Sequence, residues 1–184
     1  MAEPNPSRKP AGRFSPKPSS PRRAKDLDAV DRAILEALRL DGRITYQALS
    51  RRVGLSPRPC LERVRRLQAR GVIRGYAALI DPAAVGHNVI ALAEIAMRDP
   101  SAAARQRLER ALKANPAVAA VEVVNGEYDY VARIAAASLG EYEALTDAFL
   151  TDPAFGVARI NTTFVLRTLK EFRGYPVEDG QPGR

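Results

Sequence analysis

The stretch GLSPRPCLERVRRLQAR, residues 54–70, decides the fold of the N-terminal part of the chain. Ser56 can cap a helix, and Pro57 suits the first helical position because an amide there would have no helical partner. Pro59 still lies within the first turn, and Gly71 can end the helix in the left-handed conformation. The pattern therefore predicts a helix that starts after Ser56 and stops at Gly71.

This predicted helix has one apolar face and one basic face. At about 100° per residue, Leu61, Val64 and Leu67 gather on one side, with Cys60 beside them. Arginine dominates the other side, where it is suited to pair with guanine or to clamp phosphate. A solvated basic face on an ordinary helix is the alternative interpretation. The residues of the basic side are Arg58, Glu62, Arg65, Arg66 and Arg70, with Arg63 at its edge.

Two shorter helices are predicted upstream of this one. Asp28 can cap the first, which stops near Gly42, and Thr45 can cap the second, which ends at Gly54. Only Gly-Leu-Ser separates the second helix from the third, so the three together predict a helix-turn-helix. Residues 72–80 are expected to be extended, as a wing followed by a linker strand.

The first turn of a recognition helix usually reaches the base edges in the major groove of DNA. We therefore expect Ser56, Arg58, Pro59 and Arg63 to lie nearest the bases. Phosphate contacts are expected from Arg51, Arg52, Arg66 and Arg70, and Thr45 completes the predicted DNA-binding set.

Positive charge is concentrated in two parts of the chain. The net charge is +8, and residues 51–74 contain eight arginines and one acidic residue, whereas residues 75–184 contain more acidic than basic residues. Residues 1–26 carry seven basic side chains and six prolines, so we expect a disordered basic arm there. That arm is either a solubilising leader or a phosphate tether. This distribution is typical of a protein that binds a polyanion.

The C-terminal half alternates between strand and helix patterns, which predicts the order β-α-β-β-α-β of a ferredoxin-like α+β domain. Asn125-Gly126 predicts a hairpin turn between the two middle strands. Such a sheet has one face without helices, and that face is suited to pack against a second copy. The predicted strands are residues 89–97, 118–124, 128–136 and 157–169, and the helices are 101–115 and about 138–150.

Both halves of the chain resemble the Lrp/AsnC (leucine-responsive/asparagine regulator) family of transcription regulators. The run GLSPRPCLERVRRL followed by GVIRGYAALIDP carries most of the similarity, and NGEYDYVARI resembles the family's G-x-Y-D turn and strand. The resemblance covers roughly residues 27–172. It implies a winged helix-turn-helix that binds double-stranded DNA, followed by a RAM (regulation of amino acid metabolism) domain. It also implies homodimers formed through the sheet, and larger rings such as octamers.

The resemblance further implies an amino acid effector, bound where dimers meet. Free backbone amides near Gly126 could bind an α-carboxylate, and Asp129 or Glu127 could form an ion pair with an α-ammonium group. Alternatively, Asn125-Gly126 is only a turn and Asp129 only bonds neighbouring backbone. Thr162 and Thr163 would point to opposite sides of one strand, so they are not expected to share a pocket. The implied effector-binding residues are Asn125, Gly126, Glu127, Tyr128, Asp129, Leu150, Thr162, Thr163, Phe164, Val165 and Leu166.

The sequence gives little support to other kinds of site. One cysteine excludes an internal disulfide and Cys-x-x-Cys metal sites, and His87, the only histidine, has no neighbour that indicates an acid–base pair or a metal cluster. We therefore expect no cofactor and no metal. The absence of an apolar run of about 18 residues favours a cytoplasmic, nucleoid-associated protein.

Three classes of function compete at this stage. The favoured one is a sequence-specific, effector-responsive regulator, and the second is an architectural DNA-binding protein with little effector control. An enzyme is the third, because sirohaem decarboxylases share this fold, but a single histidine and an arginine-rich recognition helix argue against it. The expected organisation is a basic arm at 1–26, a helix-turn-helix at 27–75, a linker strand and hinge at 76–88, a RAM domain at 89–172 and a tail at 173–184.

Overall fold

The computed structural model describes residues 27–177. These residues form two compact units, of which one contains residues 27–78 together with 171–177, and the other contains Leu79–Lys170. Among the described residues, no helix is both long enough and apolar enough to cross a bilayer. The basic arm expected at residues 1–26 and the last part of the tail, residues 178–184, lie outside the described residues.

Three helices form the first unit around a small apolar core. They are α1 (Ala29–Leu40), α2 (Tyr46–Arg52) and α3 (Pro57–Ala69). Leu61, predicted to belong to the apolar stripe of α3, is only half-buried. Cys60 is fully buried, and this burial raises the pKa of its thiol, so the side chain serves the core. The buried core residues are Ile34, Ala37, Leu49, Cys60, Val64 and Leu67.

The predicted N-cap positions of these helices are confirmed. Asp28 Oδ1 accepts a hydrogen bond from the Asp31 amide at 2.7 Å, and Thr45 Oγ1 accepts one from the Ala48 amide at 3.2 Å. Ser56 occupies the N-cap position of α3 without a side-chain hydrogen bond, and proline follows it at the first helical position. Local sequence signals therefore set where each helix begins.

Residues 171–177 belong to the first unit, where they lie against α1. Gly174 adopts a φ of +87°, and a Cβ there would come within 3.4 Å of Arg39 Cγ. Glu36 pairs with Arg39 at 2.6 Å and also accepts a hydrogen bond from the backbone of Val177. The Arg39 bond, followed by weaker contributions that include Val177, lowers the pKa of the Glu36 carboxyl.

The linker strand predicted after α3 is not present. The amides of Val72 and Ile73 both donate to the Leu67 carbonyl, at 2.9 and 3.2 Å, and so complete the turn that ends α3. No strand occurs between residues 72 and 88, and Ala83–Val85 forms one turn of 3₁₀ helix. Residues 74–80 form neither helix nor strand, and no segment among the described residues pairs with them as a strand requires.

The second unit is a four-stranded antiparallel sheet with two helices, as predicted. The elements are β1 (Val89–Met97), α4 (Ala102–Ala114), β2 (Val118–Val123), β3 (Tyr130–Ala136), α5 (Leu139–Thr151) and β4 (Val157–Phe164). The strand order is β2-β3-β1-β4, which is the ferredoxin-like arrangement of a βαββαβ chain.

Both helices cover the same face of this sheet. Ile95 and Tyr130 pack with Leu108 and Phe149, which come from α4 and α5 respectively. The intervening strand residues lie on the opposite face, which carries no helix; they are half-exposed on β1 and β3 and exposed on β4. On β1, β3 and β4 these residues are Leu92, Glu94, Ala96, Val131, Arg133, Ala135, Arg159, Asn161 and Thr163.

The last strand is shorter than the sequence pattern predicts. We expected it to span residues 157–169, whereas β4 ends at Phe164. One further bond continues the pairing, from the Val165 amide to the Ile90 carbonyl at 2.8 Å. Because β1 begins at Val89, a longer β4 would have no partner strand beyond this point.

We expect Gly156→Ala to destabilise the protein more than Gly86→Ala. Both glycines have positive φ, but only at Gly156 would a Cβ lie 2.9 Å from the Asp99 carbonyl oxygen, whereas at Gly86 nothing lies within 4 Å. The left-handed backbone costs alanine about 1–2 kcal/mol at either position, and the clash adds about 1–3 kcal/mol at Gly156. Urea unfolding measures both, and equal losses would contradict the packing described around Gly156.

Candidate DNA-binding surface and effector loop

The first turns of α3 present an exposed basic surface. The side chain of Arg58 is 91% exposed, and its Nε atom lies 3.5 Å from Glu62 Oε1, one helical turn later. Ser56 and Pro59 are exposed beside it. Three of the four residues predicted nearest the bases therefore lie together in the open.

Arg63, the fourth of these residues, is held by two carboxylates of α1. Its Nη1 atom lies 2.5 Å from Asp28 Oδ2 and 2.8 Å from Asp31 Oδ1. Arg66 joins the same cluster through bonds of 2.9 and 3.1 Å to the two oxygens of Asp31. Asp31 is only 1% exposed, so a nearly buried carboxylate bridges α1 to two arginines of α3. We call these four residues the Asp31 cluster.

Contacts within the Asp31 cluster shift the pKa values of Asp28 and Arg63, in each case towards the charged form. The Asp31 amide and then the Arg63 guanidinium lower the pKa of the Asp28 carboxyl below 3.8. Because the folded-state pKa is depressed, the stabilisation from Asp28 is present above pH 3.8 and disappears as the pH falls through the lowered value. The hydrogen bonds to Asp28 and Asp31 raise the pKa of Arg63.

The sequence contained a signal for this cluster that our prediction overlooked. Asp28 and Asp31 are three residues apart near the start of α1, and Arg63 and Arg66 are three residues apart on α3. Such spacing places each pair on one helix face, so two complementary pairs can meet across a helix packing.

The remaining predicted DNA-binding residues lie at the ends of α2 and α3. Arg51 and Arg52 are exposed in the last turn of α2, whereas Arg70 is half-buried at the end of α3. Thr45 has a structural role as the cap of α2, since its hydroxyl accepts the Ala48 amide. The whole predicted set therefore lies within the first unit.

The loop between β2 and β3 is longer than the two-residue turn predicted for Asn125-Gly126. It runs from residue 124 to residue 129, and the Val124 amide donates to the Asp129 carbonyl at 3.0 Å. Gly126 has a φ of +125°, but no described non-glycine residue has positive φ. Asn125 therefore does not adopt the conformation that a two-residue type I′ turn requires.

Four consecutive backbone amides of this loop have no acceptor in the part of the chain that the structure describes. The amides of residues 125–128 donate to no group within residues 27–177. The residues on either side are anchored, because the Val124 amide is bonded within the hairpin and the Asp129 amide donates to the Ile95 carbonyl at 2.9 Å. Unpaired amides presented by an anchored loop are suited to bind an anion such as a carboxylate.

The acidic side chains of the loop, in contrast, already have partners. Asp129 Oδ2 accepts the Met97 amide at 2.9 Å, and Asp129 Oδ1 accepts Arg105 Nη2 at 3.1 Å. Glu127 pairs with Arg159 of β4, whose guanidinium also lies 5.1 Å from the centroid of the Tyr128 ring. Both carboxylates are therefore neutralised by arginine within the chain.

The other predicted effector residues are not at the loop. Thr162 is half-buried and its hydroxyl lies 2.5 Å from that of Tyr142, whereas Thr163 is exposed on the opposite face of the sheet. Leu150 lies exposed on α5. A shallow depression of about 310 Å³ is lined by Asn88, Val89, Ile90, Leu139, Phe164, Val165 and Leu166.

This apolar depression and the 124–129 loop lie at opposite ends of β1. Asp129 is bonded to Ile95, whereas Val165 is bonded to Ile90. Ile90 and Ile95 are five residue steps apart along the strand, which corresponds to about 17 Å. Within one chain, the loop residues therefore lie apart from Phe164, Val165 and Leu166, and Leu150, Thr162 and Thr163 belong to neither group.

Comparison with known protein families matches both units. The profile described as winged helix-turn-helix DNA-binding matches residues 27–74, and that described as Lrp/AsnC ligand binding domain matches residues 90–175. The chain belongs to the Lrp/AsnC family. It is accordingly a transcriptional regulator with a DNA-binding helix-turn-helix and a ligand-binding domain, as the sequence resemblance implied.

Individual members of the Lrp/AsnC family are similar over most of the chain. The leucine-responsive regulatory protein of Salmonella typhimurium is 36% identical over 154 residues, which cover 83% of this chain and 93% of that protein. A transcriptional regulator from Neisseria meningitidis, solved as an L-Met complex, has a TM-score of 0.73 at 32% identity and covers 79% of this chain and 93% of its own. The feast or famine regulatory protein of M. tuberculosis, complexed with L-methionine, has a TM-score of 0.72 at 36% identity, with coverage of 81% and 98%.

We expect Arg58→Ala and Arg63→Ala to separate DNA reading from folding. Arg58→Ala should change the free energy of unfolding by less than about 0.5 kcal/mol, because its side chain is exposed, but weaken binding to preferred DNA by about 1–3 kcal/mol. Arg63→Ala should reduce the free energy of unfolding by about 2 kcal/mol, since it leaves a nearly buried carboxylate with one partner fewer.

Urea unfolding and fluorescence anisotropy with labelled duplexes provide the two measurements. If Arg58→Ala weakens binding equally for every DNA sequence, Arg58 contacts phosphate and not base. If Arg63→Ala is as stable as the wild type, the Asp31 cluster does not hold α1 and α3 together.

Proposed function

We propose that this Lrp/AsnC regulator binds specific DNA sequences through α3 and responds to an amino acid held by the loop at residues 124–129. The single observation that carries the effector proposal is a run of four backbone amides in an anchored loop for which residues 27–177 offer no acceptor. An α-carboxylate is the group common to all amino acids, and backbone amides bind it with charge-assisted hydrogen bonds.

For DNA, we assign base reading to the exposed first turn of α3, with Arg58 as the principal reader beside Ser56 and Pro59. Arg51 and Arg52 are placed to contact phosphates, because both are exposed on the neighbouring helix. Arg66 and Arg70 are also assigned to phosphate contacts, as the sequence predicts. Arg63 is assigned a different role from the one its sequence position predicts, since its bonds to Asp28 and Asp31 orient α3.

For the effector, we assign carboxylate binding to the backbone of residues 125–128. Asp129 is not the proposed partner of the ammonium group, because its two oxygens already accept Met97 and Arg105. L-Methionine is the first ligand to test, since two structurally similar family members were solved with it. All twenty amino acids share the α-carboxylate. Differences in their affinities therefore report on the part of the site that contacts the side chain.

We further propose that the functional form is a homodimer that assembles into a larger ring such as an octamer. The sheet face without helices offers Leu92, Val131 and Ala135 for burial against a second copy. The separation of about 17 Å in one chain between the loop and the depression near Phe164 supports a binding site completed by another chain. Tyr76 and Leu79 are also exposed, and a paired copy would cover them.

In this role the protein needs no catalytic step and no cofactor. Because it binds DNA, we place it at the nucleoid, in the cytoplasm. An architectural role with little effector control is the competing function. The eight arginines and one acidic residue of residues 51–74 would serve either role. Response to an effector separates the two.

We expect at least one L-amino acid to raise the melting temperature of the full-length protein. At a hundredfold excess over Kd, binding adds about 2.7 kcal/mol, which corresponds to roughly 5–10 °C for a chain of this size. The matched control is the methyl ester of the same amino acid, which lacks the carboxylate and should give little shift.

A screen of all twenty amino acids by thermal shift, starting with L-methionine, tests this proposal. An ester as effective as the free acid would remove the assigned role of the loop amides. If none of the twenty produces a shift, the effector proposal fails and the architectural function is favoured.

A further inference from the structure

Arg105 of α4 cross-links three segments around the 124–129 loop. Its Nε donates to the Pro100 carbonyl at 3.0 Å, and its Nη2 donates to Asp129 Oδ1 at 3.1 Å. The other oxygen of Asp129 accepts the Met97 amide at the end of β1. The guanidinium on α4 is therefore bonded both to the segment between β1 and α4, at Pro100, and to the loop, at Asp129.

These contacts determine the conformation in which the loop leaves β2 and enters β3. The Asp129 amide is bonded to Ile95, and the Asp129 carbonyl accepts the Val124 amide, so the backbone of Asp129 closes the loop. Its side chain adds two bonds that do not depend on strand pairing. The amides of residues 125–128, which have no acceptor among the described residues, belong to the segment that these bonds close.

The Pro100 side of this arrangement is itself fixed. The amides of Arg98 and Asp99 donate to the Gly156 carbonyl at 2.7 and 3.2 Å. The Asp99 carboxylate holds the Ser101 amide at 2.9 Å, immediately before α4. Arg105 thus attaches the loop to a connection that is already held in place, and its side chain is 40% exposed while that of Asp129 is 28% exposed.

We propose that Arg105 is a positioning residue for effector binding, acting through Asp129 to hold the amides of residues 125–128 in their binding geometry. This inference rests on the effector role proposed for the loop. Arginine is required because its planar fork donates in two directions at once, whereas lysine is a single point charge. Loss of Arg105 leaves the Met97–Asp129 bond and the strand pairing intact, so the domain keeps its fold while the loop loosens.

The test compares Arg105→Gln with Arg107→Gln, a matched control on the exposed surface of the same helix. Hydrogen–deuterium exchange of the full-length, ligand-free protein measures the loop directly. We expect Arg105→Gln to speed exchange at the Val124 and Asp129 amides by roughly tenfold, with the rest of the sheet unchanged, and Arg107→Gln to behave as the wild type. Arg105→Lys should restore part of the protection.

Titration with L-methionine, followed by calorimetry, measures the consequence for binding. Arg105→Gln should weaken L-methionine binding by roughly five- to tenfold, while DNA affinity without effector stays within about twofold of the wild type. Asp129→Asn should give a similar loss, and the double variant should be no weaker than either single variant, because the two side chains act as one unit.

The inference is overturned if Arg105→Gln matches Arg107→Gln in loop exchange. It is equally overturned if exchange rises throughout residues 89–164, since that result would show a general contribution to stability. Failure of the wild type to bind L-methionine would count against the proposed ligand alone, because the exchange experiment needs no ligand and still decides whether Arg105 positions the loop.

Discussion

The contact between Asp31 and the two arginines of α3 is the constraint on which the DNA-binding unit depends. Asp31 is almost fully buried, and its backbone amide is bonded to Asp28 while its carboxylate is bonded to Arg63 and Arg66. A buried charge is costly when it loses a partner, so the register between α1 and α3 that satisfies Asp31 is strongly preferred. In the arrangement that satisfies Asp31, the apolar face of α3 is buried and Arg58 is exposed to solvent.

In the ligand-binding unit, side-chain charges and backbone amides differ in whether they have partners. In the loop at residues 124–129, arginines neutralise both carboxylates, whereas the amides of residues 125–128 have no acceptor within residues 27–177. Under the proposed function, these backbone amides would bind the α-carboxylate that all amino acids share. Discrimination between side chains would then fall to other residues. The apolar residues near Phe164 lie too far along β1 to contribute within the same chain, which is the reason for assigning that role to a second copy.

Local signals in the sequence predicted most of the secondary structure. The caps at Asp28 and Thr45 placed two helix starts correctly, and the strand pattern predicted the bounds of β1 without error. Interactions between distant residues were the source of the differences. Arg63 is bonded to residues 32 and 35 positions earlier, which a helix-face analysis of α3 alone does not include. The strand expected in residues 72–80 needs a partner, and the end of β4 is set by where β1 begins, so neither follows from local pattern.

The central claim is that a pair of these chains reads DNA sequence through two copies of α3. Selection of bound duplexes from a random library by the full-length protein, followed by sequencing, tests that claim most directly. The account predicts an enriched sequence with two-fold symmetry, whose half-sites lie about 10 base pairs apart or a multiple of that spacing. A library that shows no enrichment, with equal affinity for all duplexes, would contradict it.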